Sequence, residues 1–234
     1  MSTYTNNTLT NYRVKLHHSL DLTGQWEVGL TEIQYPHSWY NVSEDQAWFE
    51  IVENPEAPVV RFILKNGYYN SPDKIMKTIW GLKRSINGGE KVKIEFDDVS
   101  HKVTITIQEE AVMKVSTSLA KILGFEEEEF RIGIHIAPWV CDVRQGFHSL
   151  YIYSNIVQSS MVGDALVPLL RIVAIEGSSG EMVTHTYQNI QYVPLQQRQF
   201  DTIEIDIKDD TGLPVPFERG KVIVTLHFRQ RKES

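Results

Sequence analysis

Along most of this chain apolar residues fall at every second position, the period of a strand with one buried and one solvated face. The clearest case lies near the C-terminus. Ile203, Ile205 and Ile207 alternate with Thr202, Glu204, Asp206 and Lys208, and Val222, Val224, Leu226 and Phe228 repeat the pattern. Between the two runs, Asp210-Thr211-Gly212 and Pro214-Val215-Pro216 supply turn residues that free or restrict the backbone. The pattern predicts two long closing strands joined by a stiff loop, most simply a wide hairpin.

The opening of the chain reads similarly. Tyr12, Val14 and Leu16 alternate with Arg13 and Lys15. Trp26, Val28 and Leu30 then share one phase, while Ile33 and Tyr35 take the other. A phase slip inside a strand predicts a bulge, and Gly29 is close by. Pro36 ends the run. Residues 37–58 hold Trp39, Tyr40, Trp48 and Phe49 and close with Pro55 and Pro58, predicting a loop with one short strand.

From residue 59 the character changes. A short apolar strand over 59–65 precedes an Asn66-Gly67 turn, and Ser71-Pro72 is a helix start, with Ser as N-cap and Pro at the first helical position. Ile75, Ile79, Leu82 and Ile86 follow at helical spacing, and Asn87-Gly88-Gly89 stops the helix. Val92-Lys93-Ile94-Glu95-Phe96 and Val103-Thr104-Ile105-Thr106-Ile107 flank a polar turn, predicting a hairpin. A second short helix over 116–123 buries Leu119, Ile122 and Leu123 and is capped by Gly124. This β-α-β-β-α order over 59–130 reads as a small α+β domain inserted in an otherwise all-β chain, with Glu126, Glu127, Glu128 and Glu129 as a solvated linker behind it. The β pattern returns over 131–137, 147–156, 167–175 and 182–188, before the two closing strands. With two or three strands before residue 58 the total is about eight, the number of a double-sheet jelly roll. The expected fold is mainly β: a single jelly-roll β-sandwich from residues 1–58 and 131–234, interrupted by the α+β insertion.

Composition adds boundaries. At 41% hydrophobic and 23% charged, 234 residues suffice for a sizeable core. No apolar run approaches the roughly 20 residues of a membrane-spanning helix. The first eight residues are polar and uncharged, unlike a secretory signal, so synthesis inside a cell is expected. With 23 basic against 30 acidic residues the net charge is −7, which argues against general nucleic-acid binding. The basic tail Arg229, Arg231 and Lys232 reads as a solvated end, or as an arm contacting a partner or packaged nucleic acid.

A search for reactive chemistry assigns no catalytic, cofactor-binding or metal-binding residue. The glycines match neither a Walker A loop nor a dinucleotide fingerprint, and there is no nucleophile elbow or zinc-protease motif. Cys141, the one cysteine, has His135 and His148 near it in sequence but reads as a buried thiol. His17 and His18 point to opposite faces of one strand. Glu204, Asp206, Asp209 and Asp210 are accounted for by a solvated face and a turn. The aromatic group Trp26, Trp39, Tyr40, Trp48 and Phe49 reads as core or as a subunit interface.

The closing strands also carry a resemblance. The run Phe200-Asp201-Thr202-Ile203-Glu204-Ile205-Asp206-Ile207-Lys208-Asp209-Asp210-Thr211-Gly212, with Pro214-Val215-Pro216-Phe217 and Gly220-Lys221-Val222-Ile223-Val224-Thr225-Leu226-His227-Phe228, resembles the C-terminal signature of the minor capsid (penton) proteins of Polinton/Maverick elements and adintoviruses. These are related to virophage penton proteins. Leu150-Tyr151-Ile152-Tyr153-Ser154-Asn155-Ile156-Val157, continuing through Val162-Gly163-Asp164 to Pro168-Leu169-Leu170-Arg171-Ile172-Val173, is a second match. The resemblance covers roughly 147–229 and holds no catalytic residue. It implies a structural, non-enzymatic jelly roll that forms homopentamers at the five-fold vertices of a virion, inside a shell of double jelly-roll major capsid protein. It also implies an extra domain within the jelly roll; a domain inserted between strands is best tolerated at a sandwich end, so outward projection is expected, with a host receptor as a candidate partner. The alternatives are a carbohydrate- or receptor-binding β-sandwich, stacking sugars on Trp39 or Trp48, and a cupin-like enzyme, for which the eight histidines lack ligand spacing.

Overall fold

The structure is a computed structural model and describes residues 4–43, 45–84 and 91–231. The chain forms two compact units. One comprises the residues up to Trp39 together with those from Phe147 onward, and the other runs from Tyr40 to Gly146. The second unit is thus wider than the inserted 59–130. It takes in most of the aromatic segment before Val59 and the strand that follows the four glutamates.

The first unit opens with β1 (Asn11–Asp21) and β2 (Trp26–Pro36). The phase slip in β2 is a bulge, and it falls at Thr31. The last strand of the chain pairs its Thr225 with Glu32 but its Leu226 with Leu30, which leaves Thr31 as the extra residue. One inserted residue turns Val28 and Leu30, then Ile33 and Tyr35, onto the same face, and all four are fully buried. Gly29 serves a different purpose. A Cβ there would sit 2.4 Å from Ile190 Cγ2 and 2.7 Å from the Gln191 carbonyl oxygen, so only glycine lets the 190–192 segment lie against this strand. Gly29→Val is expected to cost about 1–3 kcal/mol by overpacking, read as a lower urea midpoint at unchanged slope.

The second unit contains β3 (Trp48–Val52), β4 (Val60–Ile63), α1 (Pro72–Lys83), β5 (Val92–Asp97), β6 (Lys102–Ile107), β7 (Val112–Val115), α2 (Thr117–Leu123), β8 (Glu129–Phe130) and β9 (Gly133–Ile136). They build two antiparallel sheets, β4-β3-β7-β8 and β5-β6-β9. Pro72 occupies the first turn of α1, while the Ser71 side chain makes no capping hydrogen bond. Ile75, Met76 and Ile79 are buried, and Leu82 packs against the same core. Ile86 and the Asn87-Gly88-Gly89 stop lie outside the described residues. In α2 the Leu119 N–H donates to Ser116 Oγ at 3.2 Å, and Gly124 ends the helix in the left-handed conformation at φ 85°.

Two sequence expectations change here. The strand expected over 131–137 pairs with β6, Ile134 opposite Thr106 and Ile136 opposite Thr104, and so belongs to the second unit and not to the sandwich. The four glutamates are not a linker. Glu129 lies in β8 and bonds Lys114 at 3.0 Å and Arg131 at 2.5 Å, and the Thr117 hydroxyl donates to Glu128 at 2.5 Å.

Returning to the first unit, the chain forms β10 (Ser149–Ser154), β11 (Ser160–Val162), β12 (Ala165–Val167), β13 (Leu169–Ala174), β14 (Met182–Thr186), β15 (Tyr192–Pro194), β16 (Gln199–Lys208) and β17 (Ile223–Gln230). One sheet has the order β1-β16-β10-β13. In the other, β2 is central, with β14, β15 and β17 all paired to it. Leu150, Ile152, Ile205 and Ile207 from the first sheet share a buried core with Val28, Leu30, Ile33 and Tyr35 of β2. The expected closing hairpin does not form. β16 pairs with β1 and β10 and β17 with β2, so the loop between them crosses from one sheet to the other. The fold is mainly β, a jelly-roll sandwich that carries a small α+β unit between β2 and β10.

Candidate interaction surfaces

Several of the residues that the sequence singles out for chemistry are engaged in local structure. Cys141 lies in the core of the second unit, 9% exposed, with its N–H donating to the His101 carbonyl at 2.8 Å. His135 packs edge-on against Phe130, and its Nε2 lies 2.7 Å from the Arg131 carbonyl oxygen. Burial, with a smaller contribution from the Asp142 charge, pushes the Cys141 thiol up to about 12. The thiol therefore stays protonated through the neutral range, with on the order of one part in ten thousand as thiolate at pH 8. Thiol-exchange reagents at pH 8 are expected to leave the native protein unlabelled and to label it fully in urea. Fast labelling of the native protein would contradict the buried placement.

The acidic group of the closing strands is likewise used locally. Glu204 accepts from Arg13 Nε at 2.8 Å and Asn11 Nδ2 at 3.1 Å, and Asp206 pairs with Lys208 at 3.0 Å. Asp209 Oδ1 accepts from the Thr211 N–H (2.9 Å), the Thr211 hydroxyl (2.7 Å) and the Leu213 N–H (2.9 Å), which makes the loop after β16 stiff. His17 and His18 are both exposed on β1. Among the described residues, no three His, Cys, Asp or Glu side chains stand together as metal ligands would.

The aromatic residues do not form one cluster. Trp39 is buried in the first unit between His37, Phe147 and Phe217, whereas Phe49 stacks on Phe62 in the core of the second. Trp48 is half-buried beneath the Arg61 guanidinium, 4.2 Å from its ring centre. Tyr40 is exposed, and Trp26 Nε1 donates to the Thr23 carbonyl at 3.0 Å. The segment 150–157 has a definite task. Ser154 Oγ donates to the Glu204 carbonyl at 2.8 Å, and Asn155 Oδ1 accepts from the Glu204 N–H at 2.7 Å while its Nδ2 donates to Thr202 O at 3.3 Å. The Asn155 amide thus continues the β10–β16 ladder past the end of β10.

What the molecule offers instead is apolar surface on strand edges. β9 is the edge of its sheet, and Ile134 and Ile136 on it, with Ile132 just before it, alternate with their side chains in solvent. Alternation marks these isoleucines as one face but does not say which face is covered. In the first unit Met161 and Leu166 are exposed on the β11–β12 hairpin, and Val14 and Ile223 on β1 and β17. Exposed apolar rows of this kind mark interaction sites more often than single exposed residues do. A shallow cleft of about 290 Å³ between Trp26 and Arg198 is lined mainly by polar groups.

A search of the solved structures matches the crystal structure of the selenomethionine-labelled mavirus penton protein, with a TM-score of 0.51, 14% sequence identity, and coverage of 94% of this chain and 90% of that one. The chain is similar in fold to the mavirus penton protein. At this identity the likeness is one of fold, and it extends across both units. No protein-family model matches the chain, and no curated protein does. No helix among the described residues is long and apolar enough to cross a membrane.

Proposed function

We propose that this chain is a minor capsid protein of the penton type. It would form pentamers at the five-fold vertices of an icosahedral shell built from a double jelly-roll major capsid protein, in a virophage-like particle of the Polinton/Maverick and adintovirus kind. The observation that carries the reading is the likeness to a penton protein over 94% of the chain, which includes the inserted unit as well as the sandwich. The runs 150–173 and 200–228 support it from the side of sequence, and Ser154, Asn155, Glu204 and Asp209 within them bond strands together and stiffen a loop. A vertex protein needs this, because wedges placed side by side close a ring only if each keeps its shape.

The role is structural rather than catalytic, with a capsid location. Native mass spectrometry of the purified protein over a range of concentration and salt tests it. A discrete fivefold mass is expected. A stable dimer or trimer under every condition would overturn the reading.

A further inference from the structure

One cleft of the first unit gathers side chains that the fold leaves without a task. It is the hollow of about 290 Å³ beside Trp26, lined also by Arg198, Arg231, Gln25, Gln158 and Gln197. Elsewhere Arg13, Arg61, Arg131 and Arg229 each pair with a glutamate. Among the described residues, the guanidiniums of Arg198 and Arg231 have neither an ion pair nor a hydrogen bond, and both residues are exposed. No carboxylate among the described residues lines the cleft. Glu27, which follows Trp26, is already paired with Arg229 at 2.5 Å. A local positive hollow thus stands on a chain whose net charge is −7.

Trp26 is the third side chain without a task. It has the phase of Val28 and Leu30 on β2 but is only partly buried, at the start of the strand. Among the described residues it stacks on no other ring and belongs to neither core. The backbone holds all three groups in place. The Leu22 N–H donates to the Arg198 carbonyl at 2.9 Å, the Arg231 N–H to the Gln25 carbonyl at 2.8 Å, and Trp26 Nε1 to the Thr23 carbonyl at 3.0 Å. Segment 22–26 therefore anchors two cations and an indole around one opening, and little ordering remains to be done on binding.

We propose that this cleft binds single-stranded nucleic acid, with phosphates on Arg198 and Arg231 and a base stacked on Trp26. Guanidinium is the group that best matches a phosphate, and an aromatic face takes any base. The glutamine amides can donate and accept at base edges. An acidic peptide would use the arginines and leave the indole idle, so the nucleotide employs more of what the cleft contains. A duplex is excluded, because its bases are stacked on one another and the hollow is shallow. The site does not rest on the capsid reading, and its failure would leave that reading untouched.

The test is fluorescence anisotropy of labelled oligothymidylate and oligouridylate, about ten nucleotides long, with the full-length protein at several salt concentrations. Affinity should fall with salt at a log–log slope of about −1.4, since each phosphate neutralised on a single strand contributes about −0.7. Arg198→Gln and Arg231→Gln should each halve that slope. Arg219→Gln, at an exposed arginine outside the cleft, should leave it unchanged. Trp26→Leu should weaken binding roughly five- to hundredfold at unchanged slope, the effect of one stacked base, and Trp26→Phe should restore most of it. Photo-crosslinking of an iodouracil-bearing strand to the wild type should mark the peptide that contains Trp26, a readout that needs no variant to fold. No binding of either strand at low salt would overturn the site. So would slopes that ignore both arginine variants, or a crosslink elsewhere in the chain. Equal displacement of the strand by polyglutamate or by a duplex would overturn the assignment to single strands.

Discussion

Trp39→Ala is expected to lower the stability of the first unit by about 3–5 kcal/mol, the range for emptying a buried aromatic site. Trp39 is 3% exposed. Its ring lies 4.1 Å from the centre of His37, 5.4 Å from Phe147, 5.7 Å from Phe217 and 6.4 Å from Tyr35. The surrounding groups are anchored elsewhere and cannot collapse into the space. The Tyr35 hydroxyl, for example, accepts the Glu176 N–H at 3.1 Å. Chemical unfolding followed by circular dichroism checks the effect as a large drop in midpoint. The same substitution tests Trp39 as a platform for a sugar. A tryptophan that stacked on a sugar would be dispensable for stability, so an unchanged midpoint with lost glycan binding would refute the placement of Trp39 in the core.

The second large effect is expected at Gly124. Its φ of 85° is a left-handed conformation, and a Cβ there would lie 2.3 Å from the Trp139 carbonyl oxygen and 2.9 Å from its carbonyl carbon. The left-handed backbone alone costs a non-glycine residue roughly 1–2 kcal/mol. The contact is with backbone, which cannot rotate away as a side chain would, so overpacking adds a further 1–3 kcal/mol or so. The Trp139 N–H also donates to the Gly124 carbonyl at 3.2 Å, and the Asp142 N–H to the Ile122 carbonyl at 2.9 Å, so displacing 139–142 breaks two more bonds. Gly124→Ala is therefore expected to destabilise the second unit by about 2–5 kcal/mol. Gly81→Ala is the control, because no atom lies within 4 Å of a Cβ added there and the helix accepts alanine readily. If the two variants unfolded at the same urea concentration, the close approach at Gly124 would be wrong.

The alternating pattern was a reliable guide to which segments are strands and which of their positions share a face. β1, β2, β5, β6, β10, β16 and β17 follow it, and the phase slip in β2 correctly announced a bulge. α2 was legible through Ser116 and Gly124, because caps act on the nearest turn of the chain and need no distant partner. The location of the bulge was not legible. Gly29 is kept small by the 190–192 segment, a contact across more than 150 residues, and the extra residue is its neighbour-but-one, Thr31.

Local chemistry, then, determined the mainly β class and the helical interruption. Each follows from residues within a few positions of one another. Only the tertiary structure decided which strand lies beside which. β16 and β17 look like a hairpin in sequence and stand in different sheets, and 131–137 looks like a sandwich strand and completes β6. It also decided that Ile132, Ile134 and Ile136 face solvent while Ile203, Ile205 and Ile207 face inward, the last two fully buried. The reason is physical. Alternation records that a strand has an apolar face, whereas the neighbour that covers that face comes from elsewhere in the chain.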